Sequence, residues 1–326
     1  MKETLKWGLL STARINQALI SPLRASKRNI LVAVASRDTS RAKAYAKQHD
    51  IPRFYGTYEE LLADPEIDVV YNPLPNHLHA EWSIRAAHAG KHVLCEKPLA
   101  LTVDEVERMT EAARQSNTIL AEAFMYRHHP QTITVQNAIQ SGAIGKIQLV
   151  RGSFSFTLNQ PDDFRWVPEY GGGALWDVGC YPVSFTRMLV GSLPQEVFGW
   201  QVTTPGGVDQ TFIGQLRFSE NVLAQFDCSF NLPRQTMMEI RGTDGSMVIP
   251  APFKPDPKQK PYILKDDRRH QITYKNADLY LGEIEDLADA VLLRQPPRIS
   301  LTESRENIAT LKALLLSARE NRVISL

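Results

Sequence analysis

Cysteine is scarce in this chain of 326 residues, at three widely spaced positions, Cys95, Cys180 and Cys228. An odd, scattered set offers no disulfide framework and fits a reducing compartment. Charge of one sign is lacking too: 37 Lys and Arg face 36 Asp and Glu, a formal net charge of +1. No strong field draws such a chain to nucleic acid or to an acidic membrane surface. No apolar run approaches the length that spans a bilayer. A secretory signal is not apparent either, because the first candidate strand begins at about Leu5 and Gly8-Leu9-Leu10 is too short for a signal core. Together these absences predict a cytoplasmic protein with neither nucleic acid nor membrane as a partner.

A chain of this length is expected to form two domains. Its first part alternates short apolar runs with helical periods. The pattern predicts strands over Leu5–Leu10, Asn29–Ala35, Asp68–Asn72, His92–Cys95 and Thr118–Phe124. Helices are expected over Arg14–Ala25, Ser40–His49, Tyr58–Ala63, His77–Ala89 and Val103–Gln115. The strands are apolar along their whole length, which marks burial on both faces and hence a parallel sheet. Right-handed crossovers then give a doubly wound α/β domain of Rossmann type, assigned to residues 1–125.

Residues 126–326 read differently. Hydrophobicity alternates over Ile147–Thr157 and near 196–203, 211–218, 222–230 and 236–241, as in half-exposed strands. An α+β domain with a largely antiparallel open sheet is expected, with one helix near 175–190. Two helices, near 280–293 and 302–320, close the chain, the last packing back on the first domain. The run PAPFKPDPKQKP at 250–261 holds five prolines and reads as loop, not core. The flat face of the open sheet predicts a homodimer or higher homo-oligomer.

The candidate chemistry gathers where strands end, which is where parallel sheets bind ligands. After the first strand the turn reads Ser11-Thr12-Ala13-Arg14-Ile15. A dinucleotide pyrophosphate sits on such a turn, although Ser11 and Ala13 stand where glycines are usual. The second strand ends in Ser36-Arg37-Asp38. Arg37 offers a planar fork to the 2′-phosphate of NADP, while Asp38 is either a ribose ligand or the cap of the next helix. NADP is therefore favoured, with NAD as the alternative. After the third strand, Asn72-Pro73-Leu74-Pro75-Asn76-His77-Leu78-His79 forms a rigid loop in which Leu74, Asn76 and His79 are cofactor-contact candidates and Asn76 also a helix cap. His77 and His79 have no Cys or carboxylate partner at ligand spacing, so no metal is expected.

His92-Val93-Leu94-Cys95-Glu96-Lys97-Pro98 places a glutamate and a lysine at the next strand end. Lys97 there can polarise a hydroxyl or lower a neighbour's pKa, and Glu96 is a cofactor-contact candidate. The run GGGALWDVGCYP (171–182) has three glycines, which admit close backbone approach to a ligand. They precede a helix that presents Asp177 and Tyr181 on one face, a plausible hydroxyl-binding and proton-transfer pair. Glu122 to Pro130 supplies softer candidates for a substrate cleft. Arg165-Trp166 either covers a nicotinamide or packs between domains.

Glu96-Lys97-Pro98, the 171–182 run and EAFMYRHHPQ (Glu122–Gln131) together resemble the Gfo/Idh/MocA family of NAD(P)-dependent sugar oxidoreductases. The resemblance is to the branch of xylose 1-dehydrogenases, dihydrodiol dehydrogenases and glucose–fructose oxidoreductase. It implies that Lys97 is the catalytic lysine, Asp177 the aspartate of the second motif and Tyr181 the proton acceptor. It further implies a dehydrogenase acting on C1 of an aldopyranose such as D-xylose. The same residues run in reverse would make a reductase of a keto- or anhydro-sugar or a diol-type substrate. A dinucleotide-sensing regulator without turnover is the third reading.

Overall fold

The computed structural model describes residues 3–326. Its first elements are β1 (Leu5–Leu10), α1 (Asn16–Ala25), β2 (Asn29–Ala35), α2 (Thr39–Gln48), β3 (Arg53–Tyr55), α3 (Tyr58–Ala63) and β4 (Val69–Asn72). Then follow α4 (His79–His88), β5 (His92–Glu96), α5 (Val103–Gln115), β6 (Leu120–Ala123), α6 (Pro130–Gln140), β7 (Ile147–Thr157) and α7 (Cys180–Val190). Next come β8 (Glu196–Thr203), β9 (Asp209–Arg217), β10 (Leu223–Ser229), β11 (Asn231–Gly242) and β12 (Ser246–Ile249). The chain closes with β13 (Tyr262–Lys265), β14 (Arg268–Gln271), α8 (Leu281–Leu292), α9 (Leu301–Glu320) and β15 (Ile324–Ser325). Two compact units result, Met1–His128 with Asp278–Arg305, and His129–Ala277 with Glu306–Leu326.

In the first unit six parallel strands lie in the order β3-β2-β1-β4-β5-β6. The order reverses between β1 and β4, and it is at the carboxyl side of such a switch point that open parallel sheets bind ligands. The core explains the apolar runs. Leu5, Trp7 and Leu9 of β1 are buried against Leu19 and Leu23 of α1 and against Ile284, Leu287 and Ala288 of α8. Trp7 keeps its one donor satisfied inside that core, where its indole N–H donates to Asn29 Oδ1 at 2.8 Å. Helix starts follow local chemistry. Asp38 caps α2, and Thr57 with Glu60 and Thr102 with Glu105 form capping boxes on α3 and α5.

The second unit holds a sheet of nine strands in the order β14-β13-β12-β11-β7-β10-β9-β8-β15. Neighbours are antiparallel except β7 and β10. Before α7 the chain makes one wide π-type turn, Leu175–Gly179. Pro182, in the first turn of α7, has no N–H to donate and its ring crowds the carbonyl of Val178 four residues back, so the helix widens there. Gly152 on β7 leaves the room that Pro182 needs: a Cβ at Gly152 would lie 2.7 Å from Pro182 Cβ.

Two expectations need correction. Helix α6 was not foreseen, because its start depends on His129, whose Nδ1 accepts the Gln131 N–H at 3.1 Å, more than on any apolar period. The proline-rich run is indeed loop, yet it contributes to the core. Phe253 within it is fully buried, stacked on Phe154 at 5.3 Å and 10°, with Tyr181 and Phe185 against its other sides. Proline excludes helix and ladder but does not keep a neighbouring aromatic ring in water. Phe253→Ala should therefore destabilise the second unit by about 3–5 kcal/mol, the usual cost of emptying a buried aromatic site. A urea midpoint within error of the wild type would contradict this placement.

Candidate functional site

The turn after β1 takes the shape its sequence seemed to lack. Ser11 adopts φ 76°, the left-handed conformation for which glycine is usual, and its carbonyl accepts from Asn16 Nδ2 at 2.8 Å. Gly8 serves packing, since a Cβ there would press on Leu61 and Ile67. Thr12, Ala13 and Arg14 lead into α1, which Ile15 precedes. That helix has no side-chain cap, in contrast to α2, α3 and α5, and no acidic residue in its first turn, in contrast to α3 and α5.

At the tip of β2, Ser36 is buried and Arg37 exposed. Arg37 lies near enough to the buried Tyr58 phenol to oppose part of the upward pKa shift that burial causes. The Asp38 carboxylate is occupied as a cap, accepting from the Ser40 N–H at 2.8 Å, the Ser40 hydroxyl at 2.6 Å and the Arg41 N–H at 3.2 Å. These bonds hold Asp38 below the usual carboxylate range.

The loop after β4 and the turn after β5 are tied through His79. Its Nδ1 lies 2.8 Å from the Pro98 carbonyl and its Nε2 2.7 Å from the Leu74 carbonyl. Burial pushes the ring down to about 4, against the pull of both carbonyls, so at neutral pH it donates to one and faces the other with a lone pair. Asn72 stiffens the same loop by donating to the His79 carbonyl and to Ser83, both at 3.1 Å. Asn76 lies inside a short 3₁₀ turn that runs into α4 and is not its cap: the turn is preceded by Pro75 and α4 by Leu78, and neither start has a side-chain cap, because the rigid Pro73–Pro75 loop sets where the turn begins.

Glu96 ends β5 and accepts from the Tyr71 hydroxyl, while the Lys97 backbone N–H lies 3.3 Å from its other oxygen. The Lys97–Pro98 peptide is cis. Immediately after it, the Leu99 N–H donates to Glu122 Oε1 at 2.9 Å. Glu122 is 2 % exposed, and burial raises its carboxyl to about 7. Glu283 of α8, equally buried, is pushed well above the carboxylate range by burial first and by the Glu96 charge second. Sequence reasoning put Glu122 only among cleft candidates and missed Glu283, whose sole signal was an acid on the apolar side of a helix.

In the second unit Arg165 and Asp177 come together. Arg165 Nε donates to Asp177 Oδ2 at 2.8 Å, and its Nη1 to Asp163 at 3.1 Å. Trp166 donates to the Gln160 carbonyl at 3.0 Å and stands edge-on to Phe230. Tyr181 is nearly buried, its ring tilted against Phe154 and Phe253. Two glycines of the run are closely approached by protein. A Cβ at Gly172 would lie 2.5 Å from the Arg165 carbonyl oxygen, and one at Gly173 2.0 Å from Asp209 Oδ1. Among the described residues no group of three or more His, Cys, Asp or Glu is disposed to hold a metal. None of their helices is long and apolar enough to cross a membrane.

Residues 5–124 match the oxidoreductase family with an NAD-binding Rossmann fold, and residues 132–248 match the GFO/IDH/MocA C-terminal domain. The chain belongs to the Gfo/Idh/MocA family. As a member it is an NAD(P)-dependent oxidoreductase. It is 36% identical over 326 residues to a D-xylose 1-dehydrogenase (NADP(+)) of Haloferax volcanii, covering 99% of this chain and 100% of that protein. It is 37% identical to a trans-1,2-dihydrobenzene-1,2-diol dehydrogenase of Danio rerio over 253 residues, 76% of this chain and 75% of that one. The crystal structure of a 3-ketoreductase from Actinomadura kijaniata with NADP and TDP-benzene superposes with a TM-score of 0.90 at 30% identity, covering 96% of this chain and 98% of that chain.

In this Gfo/Idh/MocA chain the turn that carries Lys97 depends on a buried acid. Because the Glu122 carboxyl titrates higher in the folded protein than in the unfolded chain, its contribution to stability is full below the ordinary carboxylate range. That contribution is lost as pH rises towards about 7. Glu122→Gln keeps an oxygen for the Leu99 N–H and removes the charge. It should gain on the order of 1–3 kcal/mol over the wild type at pH 8 and little at pH 5. Urea midpoints that differ equally at both pH values would contradict a buried, ionising Glu122.

Proposed function

We propose that the protein is an NADP-dependent dehydrogenase oxidising a sugar hydroxyl, first of all C1 of an aldopyranose such as D-xylose. The first unit would hold the dinucleotide and the second the sugar. The observation that carries this reading is the full-length likeness to an NADP-dependent D-xylose 1-dehydrogenase. The turn chemistry supports it. The uncapped start of α1 and the left-handed Ser11 suit a pyrophosphate over Ser11, Thr12, Ala13, Arg14 and Ile15. With Asp38 engaged as a cap, Ser36 and the exposed Arg37 are what the β2 tip offers, which suits a 2′-phosphate better than a bare ribose. Leu74, Asn76, His79 and Glu96 shape or line the neighbouring loops, and Arg165 and Trp166 remain candidates for the nicotinamide side.

Bound NADP⁺ would supply the hydride acceptor. Tyr181 takes the hydroxyl proton while the carbinol C–H bond breaks and its electron pair departs as hydride. Lys97 holds the reacting oxygen. Asp177, itself oriented by Arg165, positions the sugar. A proton acceptor matched to the working pH contributes about 10²–10⁴-fold.

The same residues run backwards give a keto-sugar reductase, and the likeness to an NADP-bound 3-ketoreductase favours that as the second reading. A sensor without turnover is less well supported, because Lys97, Asp177 and Tyr181 are all present. The three cysteines, all buried and none in a disulfide, suit a cytoplasmic setting. A second copy of the chain is the partner suggested by the outer face of the second sheet, where Trp200 and Ile213 pair across β8 and β9 with Val202 alongside, all three well exposed.

Steady-state assays over a panel of aldoses, ketoses and diols with NADP⁺ and NAD⁺, and with NADPH in reverse, test the assignment. NADP⁺ reduction with an aldopyranose is expected, and Lys97→Met should abolish turnover while NADP binding persists. Near-normal turnover in Lys97→Met would sink the assignment, and tight NADPH binding with no substrate turned over would favour the sensor. Sedimentation of Trp200→Glu should show a smaller species than the wild type; identical monomers would reject the sheet-face assembly.

A further inference from the structure

Asp209 opens β9 and is 4 % exposed. Its Oδ2 accepts the backbone N–H of Leu175 at 2.7 Å, and the Ala174 N–H also acts on the carboxylate. These donors belong to the start of the helical segment that runs through the wide turn into α7, and such donors have no partner within their own helix. A cap normally comes from the residue just before a helix. Here the residue before Ala174 is Gly173, at φ +124°, and any side chain on it would occupy the place of the Asp209 carboxylate. The cap is delivered instead from another strand, and the glycine makes room for it. Two residues beyond Leu175 stands Asp177, whose own N–H donates to the Gly173 carbonyl at 3.1 Å. Tyr181 follows four residues later.

We infer that Asp209 is a positioning residue for Asp177 and Tyr181, a carboxylate from β9 that fixes where the wide turn begins and hence how both side chains are presented. The inference rests on the reading of those two residues as catalytic.

The latch has a built-in pH dependence. Burial raises the Asp209 carboxyl to about 7, opposed by the Leu175, Asp209 and Ala174 N–H groups and by the Arg319 guanidinium of α9. Cys228 and Asp227 of β10 and Cys180 of α7 also lie on this side. The Cys228 thiol is pushed well above its ordinary value by burial first and stays neutral. Asp209 lines a cavity of about 80 Å³ together with Trp176, Gln201 and Arg319. Above about pH 7 the group is an anion and a strong acceptor; below, it is a neutral acid and a weaker one. Stability moves the other way. A raised carboxyl is best tolerated when protonated, so this group's contribution to the fold falls as pH rises towards about 7. Catalysis and stability thus respond to this one proton with opposite signs, which a merely structural acid would not produce.

The test compares wild type, Asp209→Asn and Asp209→Ala in kcat and KM from about pH 6 to 9, with hydrogen exchange at the amides of residues 174–176. Asp209→Ala should lower kcat by roughly 10- to 100-fold, the worth of one or two hydrogen bonds to a charged acceptor. KM for NADP should stay within about twofold, and those amides should exchange faster. Asp209→Asn, which keeps one acceptor oxygen and folds even if the alanine variant does not, should lose less kcat and lack the inflection near pH 7. Unchanged kcat in Asp209→Ala, or an intact inflection in Asp209→Asn, would overturn the inference. Full turnover in both Lys97→Met and Tyr181→Phe would overturn the catalytic reading instead, and the exchange rates would still decide whether the latch exists.

Discussion

Backbone groups at the buried ends of strands and turns cannot reach water, and the fold depends on side chains that meet them. Three buried titratable side chains make such contacts beside the turns that carry the candidate residues. His79 faces the Pro98 and Leu74 carbonyls, Glu122 accepts from the Leu99 N–H, and Asp209 accepts from the Leu175 N–H. Each is titratable, and burial moves each away from its ordinary pKa, His79 down to about 4 and the two acids up to about 7. The turn after β5 on one unit and the wide turn before α7 on the other are thus each held by groups whose protonation burial shifts.

This dependence also explains what could be read from the chain and what could not. The parallel strands β1, β2, β4, β5 and β6 were legible because burial on both faces writes itself as a continuous apolar run. Asp38 was legible as a cap because it acts within three residues of itself. The three-residue strand β3 is too short to carry a period. The burial of Phe253 and the cap from Asp209 depend on partners tens of residues away, so no local pattern announces them. The glycine run was recognisable as a place of close approach, but its neighbours proved to be the Arg165 carbonyl and the Asp209 carboxylate. Ser11 shows the converse case, since a non-glycine residue took up the left-handed conformation of the missing glycine.

The Gfo/Idh/MocA assignment and the physical reading meet at the strand ends. The family matches cover the strand ends on the first unit and the wide turn before α7 on the second, where the candidate residues Lys97, Asp177 and Tyr181 stand. The structure adds what surrounds them, with Arg165 on Asp177, the His79 and Glu122 contacts around the Lys97 turn, and an uncapped α1 after the turn that follows β1.

The central claim, hydride transfer from a sugar carbinol, is tested most directly by following the hydrogen itself. The wild-type protein would be incubated with NADP⁺ and D-xylose deuterated at C1, and the recovered NADPH examined by proton NMR. The account predicts deuterium at nicotinamide C4, on one face only. NADPH formed without the label at C4, or no reduction with this or any other C1-labelled aldopyranose, would contradict it.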